Sequence, residues 1–343
     1  MTGIIPFPLY NDEKKLFICS AMPSPLLNAS YSVFSYAARR YAGINIRPPL
    51  PPALSIELSS VCNLSCPECV TGAGLLTRIN SFMDYDLAKS IATRMKGTTH
   101  SAWLYFQGEP MLHPRFFDIS ELFRGMNPVI STNGHFLDAE SCHRLAYSGI
   151  RKIIIPYDGI TPAIYNLYRK GGDHGRVTEG ICTLASVIRR EQSSLKIELQ
   201  FLLHRGNRHE EAAVAAFAGY VGAVFRIKSM QVLDKERTGE WIVPDLRKSR
   251  YIRSGENWRI VSHPMRGCLR MWTTPVITTD GDVLPCCYDK NGSHIMGNLN
   301  DSTFREIWNG MKYRSFRDAV IKDRRLTDIC RGCIQGRRVI FKR

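Results

Sequence analysis

The sequence predicts an α/β fold, a partial (β/α)6 TIM barrel followed by a small C-terminal α+β domain. Three observations carry this. Six strand-like runs alternate with helical periodicities between residues 51 and 235. Polar, cysteine-bearing or glycine-bearing stretches fall just after the strands, where a parallel βα array presents its site. Beyond residue 262 the character changes to short strands, glycines and clustered cysteines.

Residues 1–50 form a mixed N-terminal extension. The proline-rich RPPLPPAL (47–54) closes it as a stiff, extended lead-in. LSIELSS (54–60) reads as the first strand, with a cysteine-bearing loop at its C-terminal end. MDYDLAKSIATRM (83–95) reads as a helix, with Leu87, Ile91 and Met95 at helical spacing. SAWLYFQG (101–108) is the second strand and HPRFFDISELFRGM (113–126) begins a helix. PVISTNG (128–134) is the third strand with its turn, and DAESCHRLAYSG (138–149) is a helix ending at glycine. RKIIIPYDG (151–159) is the fourth strand and RVTEGICTLASVIRRE (176–191) the helix after it. LKIELQFLL (195–203), HEEAAVAAFAGYVG (209–222) and AVFRIKSM (223–230) complete the array as strand, helix and strand. The two further units of a closed eightfold barrel are not visible. A charged, turn-rich linker is expected over 236–262, and the C-terminal domain over 263–343. There VITTDGDVLPCC (276–287) reads as two short strands joined by a DG turn. FREIWNGMKYRSFRDAVI (304–321) reads as a helical segment interrupted near Asn309–Gly310.

A chain of 343 residues is long enough for one large core plus a smaller module. At 44% hydrophobic and 22% charged it reads as an ordinary globular protein. No 18-residue apolar run suggests a membrane span, and the opening MTGIIPFPLYNDEKK is not a secretory signal. The expected compartment is the cytoplasm. Eleven cysteines, odd in number and clustered, argue for metal ligation rather than a disulfide framework. The net charge of +15 suits an anionic small-molecule substrate or partner. No basic motif interleaved with aromatics is present, so nucleic acid is disfavoured.

VCNLSCPECV (61–70) places Cys62, Cys66 and Cys69 in a CX3CX2C loop. Zinc and an ordinary iron–sulfur cluster each want four ligands. Three thiols serve three corners of a four-iron cube and leave one iron open. The competing readings are a zinc site completed by a distant His113 or His135, and a set of buried structural cysteines.

The loop does not stand alone. QGEP (107–110) follows the second strand, STNG (131–134) the third and PYDG (156–159) the fourth. Together these segments resemble the radical S-adenosylmethionine (radical SAM) enzymes. The resemblance implies a 4Fe–4S cluster on Cys62, Cys66 and Cys69, with SAM on the open iron through its amino nitrogen and carboxylate. The reduced cluster, fed by an external donor such as flavodoxin or ferredoxin, would cleave SAM. Methionine and a 5′-deoxyadenosyl radical result, and the radical takes a hydrogen atom from substrate.

Gly108 and Glu109 are the implied holders of the methionine amino group, and Asn133 lies where the third strand meets the cofactor. Asp158 is implied as a ribose or substrate contact, hence as a candidate catalytic residue. Arg169 is implied as a salt bridge to the SAM carboxylate. Asn133 and Asp158 read equally as turn residues. Three positions depart from the pattern. Gln107 replaces a glycine. Pro156 stands where relatives often have a SAM-contacting serine, so that contact is lost or supplied elsewhere. Glu68 replaces an aromatic near the adenine, and otherwise reads as a solvated loop residue. Gln200 and Lys228 face the cavity or the opposite side; alternation alone does not say which.

The C-terminal part holds Cys268, Cys286, Cys287, Cys330 and Cys333. CX2C suits two corners of a cluster or two zinc ligands, and the hairpin and returning helix would bring the remote thiols together. This segment resembles the SPASM/twitch extension of radical SAM enzymes, which makes it an iron–sulfur domain. The resemblance implies an auxiliary cluster on Cys268, Cys286, Cys330 and Cys333, and so two 4Fe–4S clusters in all. The choice between Cys286 and Cys287 as ligand stays open. Cys287, pointing the other way along its strand, is the first candidate hydrogen-atom donor and so a candidate catalytic residue. Cys142 and Cys182 lie in helices and read as small core residues; Cys19 has no assigned role.

Many peptide-modifying relatives carry an N-terminal recognition domain, and 61 residues before Cys62 hold one poorly. The expectation is therefore a radical SAM oxidoreductase or epimerase. Its substrate would be a small polar metabolite such as a sugar, amino sugar or cyclitol, which it would dehydrogenate or epimerise. A peptide- or protein-modifying maturase is the alternative, and a non-catalytic iron–sulfur scaffold the third class.

Overall fold

The computed structural model describes residues 24–243, 245, 248–260, 266–331, 333 and 340–342. Cys19 lies outside them. The chain enters through α1 (Pro25–Ala37), an element the sequence reading missed. Ser24 caps it by accepting from Leu27 N, with proline in the first turn. Asn28 fastens it by donating to the carbonyls of Leu50 and Thr98 at 2.5 and 2.9 Å.

Six strands then alternate with helices: β1 (Ala53–Ile56), α2 (Tyr85–Met95), β2 (Ser101–Trp103), α3 (Phe116–Leu122), β3 (Val129–Ser131) and α4 (Ala139–Tyr147). They continue as β4 (Lys152–Pro156), α5 (Pro162–Tyr168), α6 (His174–Arg190), β5 (Lys196–Leu203), α7 (Glu211–Tyr220) and β6 (Val224–Ser229). The strands pair in chain order and in parallel. The expected array of six units is present. Aspartates mark three helix starts: Asp84, Asp138 and Asp173 each accept from a backbone N–H of the first turn. Helix α5 was not anticipated. It is short and begins at Pro162, which suits a first helical position.

Burial sorts the strand faces. Leu54, Ile56, Ala102, Ile130, Ile153, Ile155, Leu199 and Phe201 pack against the helices in one core. Fully burying each such aliphatic or aromatic side chain contributes roughly 1.5–3 kcal/mol. Their neighbours in each strand face the barrel interior. By the same alternation Phe225 and Ile227 pack outward, so Lys228 points inward, as do Gln200 and Glu198 beside Leu199.

The stretch 236–262 holds more than a linker. It carries α8 (Thr238–Trp241) and an antiparallel hairpin of β7 (Tyr251–Ser254) and β8 (Asn257–Ile260). The remainder runs through α9 (Arg270–Thr273), β9 (Val276–Ile277), β10 (Asp282–Leu284), β11 (Gly297–Asn298), α10 (Phe304–Asn309), α11 (Met311–Asp323), α12 (Asp328–Arg331) and β12 (Ile340–Lys342). The expected DG hairpin is β9–β10, with Gly281 at φ 89°. The expected helix break falls between α10 and α11, where Gly310 is extended.

The C-terminal strands join the barrel sheet instead of forming their own. Strand β9 pairs in parallel with β1 and β12 antiparallel with β6, giving the order β11-β10-β9-β1-β2-β3-β4-β5-β6-β12. Trp308 seals the seam: it is fully buried and donates from Nε1 to the Pro49 carbonyl at 2.7 Å. Cys142 is fully buried in the helix-side core and Cys182 packs against it. Among the described residues no helix is long and apolar enough to cross a membrane.

Candidate active site between two cysteine sets

The loop after β1 brings Cys62, Cys66 and Cys69 together. Burial pushes the Cys62 thiol up to about 11, and the charges of Glu109, Cys66 and Cys69 add to this. Burial also raises Cys66, with Arg169 opposing it and Cys69 adding. The three thiols thus share one space, with Cys62, Cys66 and Cys69 in one packed cluster. The segment after β2 holds this loop from below. Glu109 N donates to the Val61 carbonyl at 2.8 Å. Gly108, at φ 67°, passes so close that a Cβ there would lie 2.4 Å from the Ser59 oxygen and 2.7 Å from that of Val61. Only glycine fits.

Glu109 turns its carboxylate onto the protein. Oε2 accepts from Asn133 N at 2.6 Å and Oε1 from Met111 N at 3.0 Å. Burial pushes it up to about 7. Asn133 in turn donates from Nδ2 to Asn63 Oδ1, inside the cysteine loop, at 2.8 Å. Its own Oδ1 accepts from His135 N at 3.1 Å and meets the His135 ring at 3.0 Å. The QGEP and STNG segments therefore brace the loop and each other.

Asp158, at the end of β4, is fully buried. Oδ1 accepts from Leu202 N at 2.7 Å and Oδ2 from Arg169 Nε at 2.6 Å. This geometry argues against a direct substrate or ribose contact, because both oxygens are engaged and none is accessible. The carboxylate instead positions Arg169, whose Nη1 lies 3.8 Å from Cys66 Sγ. Burial works against the Arg169 charge, but Asp158 and then Cys66 outweigh it and hold the guanidinium well above its ordinary value.

Glu68 is not a solvated loop residue. It is 5% exposed, and Oε2 accepts from Leu233 N at 2.7 Å, tying the cysteine loop to the segment after β6. His113 and His135 have no nitrogen left for zinc. His113 Nε2 meets the Met83 carbonyl and Nδ1 accepts from Arg115 N; His135 Nε2 accepts from Asp173 N. The stretch 236–262 supplies a seat: Trp241, Ile242 and Tyr251 pack with Tyr168, Leu64 and Cys66 in one apolar cluster.

The second set is buried throughout: Cys268, Cys286, Cys330 and Cys333 are each 4–5% exposed. Burial pushes Cys330 up to about 12; Arg324 opposes this, and Cys333 and Cys268 add to it. Burial raises Cys286 as well, followed by Cys287, Cys268 and Cys333. Cys287 is half-buried, and its Sγ accepts from Arg270 Nη1 at 3.3 Å. Its charge reaches Tyr105 and Lys290, and Lys290 also feels Cys69. Cys286 thus sits with the other three thiols, and Cys287 turns toward the barrel interior.

One determinant escaped the sequence reading. Glu57, fully buried on the inward face after β1, takes Arg78 as a bidentate partner at 2.7 and 2.8 Å. It also accepts from the backbone of Gln107 and Thr279 at 3.3 Å each, and Arg78 Nε reaches the Lys290 carbonyl at 3.0 Å. The pair ties the end of β1 and the segment after β2 to the β9–β10 hairpin and the stretch after it. The available signal was a lone acid in an otherwise uncharged strand, LSIELSS.

Both sets fit iron–sulfur clusters. The first gathers one buried and two half-buried thiols and the second four buried ones, and thiols so grouped repel as anions, an arrangement that metal coordination relieves. Among the described residues no three His, Cys, Asp or Glu side chains close on a single ion. The corners of a four-iron cube lie farther apart than the ligands of one zinc, bound at about 2.3 Å.

The SPASM family model, an iron–sulfur cluster-binding domain, matches residues 268–334. The chain is similar to the S-adenosyl-L-methionine-dependent 2-deoxy-scyllo-inosamine dehydrogenase of Niallia circulans, at 23% identity over 291 residues, covering 82% of this chain and 91% of that protein. It is similar to the mycofactocin maturase MftC of Mycobacterium tuberculosis, at 22% identity, covering 78% of this chain and 73% of that protein. Its fold resembles Streptococcus suis SuiB bound to the precursor peptide SuiA, with a TM-score of 0.59 at 15% identity, covering 78% of this chain and 66% of that one. Fold and site together place a three-thiol loop at the mouth of a partial barrel and an iron–sulfur cluster-binding domain beside it. The C-terminal part carries a SPASM iron–sulfur cluster-binding domain over residues 268–334, and the whole has the fold of the solved structure above.

Proposed function

We propose that this protein is a radical SAM enzyme that modifies a peptide or protein substrate and holds two 4Fe–4S clusters, one on Cys62, Cys66 and Cys69 and one on Cys268, Cys286, Cys330 and Cys333. The observation that carries the two-cluster reading is that the thiols fall into two separate packed groups, Cys62, Cys66 and Cys69 in one and Cys268, Cys286 and Cys330 in the other, with Cys333 buried as well. When bound, SAM and the reduced first cluster supply a 5′-deoxyadenosyl radical that takes a hydrogen atom from substrate. The chain's own residues prepare that event. The Gly108–Glu109 backbone faces the cysteine loop, where the SAM amino group is to be held. Arg169, fixed by Asp158, offers its guanidinium to the SAM carboxylate. Trp241 and Tyr168 keep water from the loop's underside. Cys287, steadied by Arg270, stands as hydrogen-atom donor where the outcome is epimerisation. An external flavodoxin or ferredoxin supplies the electron.

The peptide reading is supported by the relatives named above as a maturase and as a protein bound to its precursor peptide. A second reading, dehydrogenation or epimerisation of a small polar metabolite, is supported by alignment along 91% of a cyclitol-type dehydrogenase. It is also favoured by a C-terminal cysteine count that suffices for one fully ligated cluster. The test is anaerobic incubation of reconstituted enzyme with SAM, reductant and deuterium-labelled candidates. Deuterium reaching 5′-deoxyadenosine from a peptide encoded beside the gene supports the main reading. Transfer only from labelled amino sugars or cyclitols moves the assignment to the second. No 5′-deoxyadenosine from loaded enzyme sinks both.

A further inference from the structure

The first cysteine set has a cation built against it, and that cation is held from several directions. Arg169 closes α5, its N–H donating to the Tyr165 carbonyl at 3.0 Å. Two bonds then fix the guanidinium: Nε donates to Asp158 Oδ2 at 2.6 Å and Nη1 to Cys66 Sγ at 3.8 Å. The Tyr168 ring lies 5.0 Å from its central carbon. Asp158 is itself anchored: Leu202 N donates to Oδ1 at 2.7 Å and Asn207 Nδ2 to the Asp158 carbonyl at 2.9 Å. The backbone beyond follows the cysteine loop too, because Ser65 N donates to the Lys170 carbonyl at 2.9 Å. The Arg169 side chain is 13% exposed and the Asp158 carboxylate fully buried, so water screens this charge from the sulfur only weakly.

Hydrogen bonds to the ligand sulfurs, together with net charge and exposure, set the reduction potential of an iron–sulfur cluster. Reduction adds one negative charge, part of which rests on the sulfurs. A guanidinium donating to a sulfur therefore stabilises the reduced form more than the oxidised one. The Asp158 charge opposes this at Cys66, but the guanidinium is the group in contact and outweighs it. We propose that Arg169, positioned by Asp158, raises the reduction potential of the cluster on Cys62, Cys66 and Cys69 through its contact with Cys66. The proposal rests on the cluster assignment in the proposed function. It gives Arg169 a role separate from the SAM carboxylate, exercised before SAM binds. A guanidinium carries five N–H donors, enough for Asp158, Cys66 and SAM together. The functional consequence is that an external donor reduces this cluster more readily.

The test is a redox titration of the full chain with both clusters reconstituted and no SAM present, followed by electron paramagnetic resonance. The reduced signal that changes when SAM is added to a parallel sample belongs to the first cluster. Where SAM changes neither signal, Cys286→Ala, which removes the second cluster, makes the assignment. Asp158→Asn with Arg169→Met removes both charges and keeps an acceptor for Leu202 N. This double variant should lower the ratio of reduced to oxidised first cluster about tenfold at a fixed applied potential, a downward shift of about 59 mV for one electron. The second cluster should stay where it is. Arg169→Lys, which keeps the charge, should shift the first cluster less. If the double variant loses iron from the first set, Arg169→Gln read against Arg169→Lys gives the same comparison. The proposal is overturned if the first set takes up no cluster or if its ratio changes less than about threefold. It is also overturned if Arg169→Lys falls as far as the neutral variant, or if both clusters shift together. A lowered potential in protein that makes no 5′-deoxyadenosine sinks the proposed function and leaves the role of Arg169 standing. 5′-Deoxyadenosine production with an unmoved potential does the reverse.

Discussion

Arg169 Nε lies 2.6 Å from Asp158 Oδ2, and the Nη1 of the same guanidinium lies 3.8 Å from Cys66 Sγ. One side chain therefore links the end of β4 to the cysteine loop. Asp158→Asn leaves a buried guanidinium without its counter-charge, a loss of roughly 3–5 kcal/mol. The variant is expected to melt well below wild type and to bind SAM about tenfold more weakly, read by thermal denaturation and calorimetry. Unchanged SAM affinity in the destabilised variant would remove Arg169 from the SAM carboxylate.

Gly108→Ala asks whether the β2 turn shapes the cysteine loop. A Cβ 2.4 Å from the Ser59 oxygen must push backbone, not a pliable side-chain end. The second cysteine set is untouched. Iron per chain should fall by about half from the roughly eight of two cubanes, with the remaining cluster visible in the electronic spectrum. Full iron loading would contradict this.

The neighbours Cys286 and Cys287 should separate cleanly. Cys286→Ala is expected to lower iron to about four per chain, and Cys287→Ala to leave about eight. If Cys287 is also the hydrogen-atom donor, its alanine variant will still make 5′-deoxyadenosine but will not form an epimerised product. The opposite iron pattern would exchange the ligand assignment.

His204 sets an acid limit on stability. It is 1% exposed, packs edge-on against Trp241, and burial pushes its pKa down to about 4. Above the ordinary histidine value near 6.5 the imidazole is neutral in both folded and unfolded chains. As pH falls below that value the unfolded chain takes up the proton first, so stability declines until the pH reaches the folded value. Between pH 6.5 and pH 5 this amounts to about 1.5 kcal/mol. His204→Asn, which keeps an acceptor near Gly206 N, should flatten that part of the melting-temperature profile. An unchanged slope would place the acid sensitivity elsewhere.

What the sequence made legible follows from the range of the interactions concerned. The six βα units, the DG hairpin and the break at Gly310 all rest on local periodicity or on glycine and proline chemistry. The cysteine spacing is local too. What stayed hidden depends on partners far along the chain. Glu68 looked like a loop acid because Leu233, whose N–H it accepts, lies on the far side of the barrel strands in sequence. Glu57 and Arg78 gained their meaning from Thr279 and Lys290. Alternation showed that Lys228 had to take one of two faces, and only the outward packing of Ile227 chose between them. The hairpin Tyr251–Ile260 was missed because each of its strands is only four residues long, too short for alternation to stand out from a charged stretch.

The pairing of β9 with β1 and of β12 with β6 has a consequence for how the protein is made. A ribosome releases β1 through β6 well before either outer neighbour exists. Until residue 276 emerges, one rim of the nascent sheet presents unsatisfied amides and carbonyls, and the other does so until residue 340. Such rims invite pairing with other chains. A chain cut before its last cysteine pair also lacks β12, leaves the β6 rim open, and would therefore lose solubility.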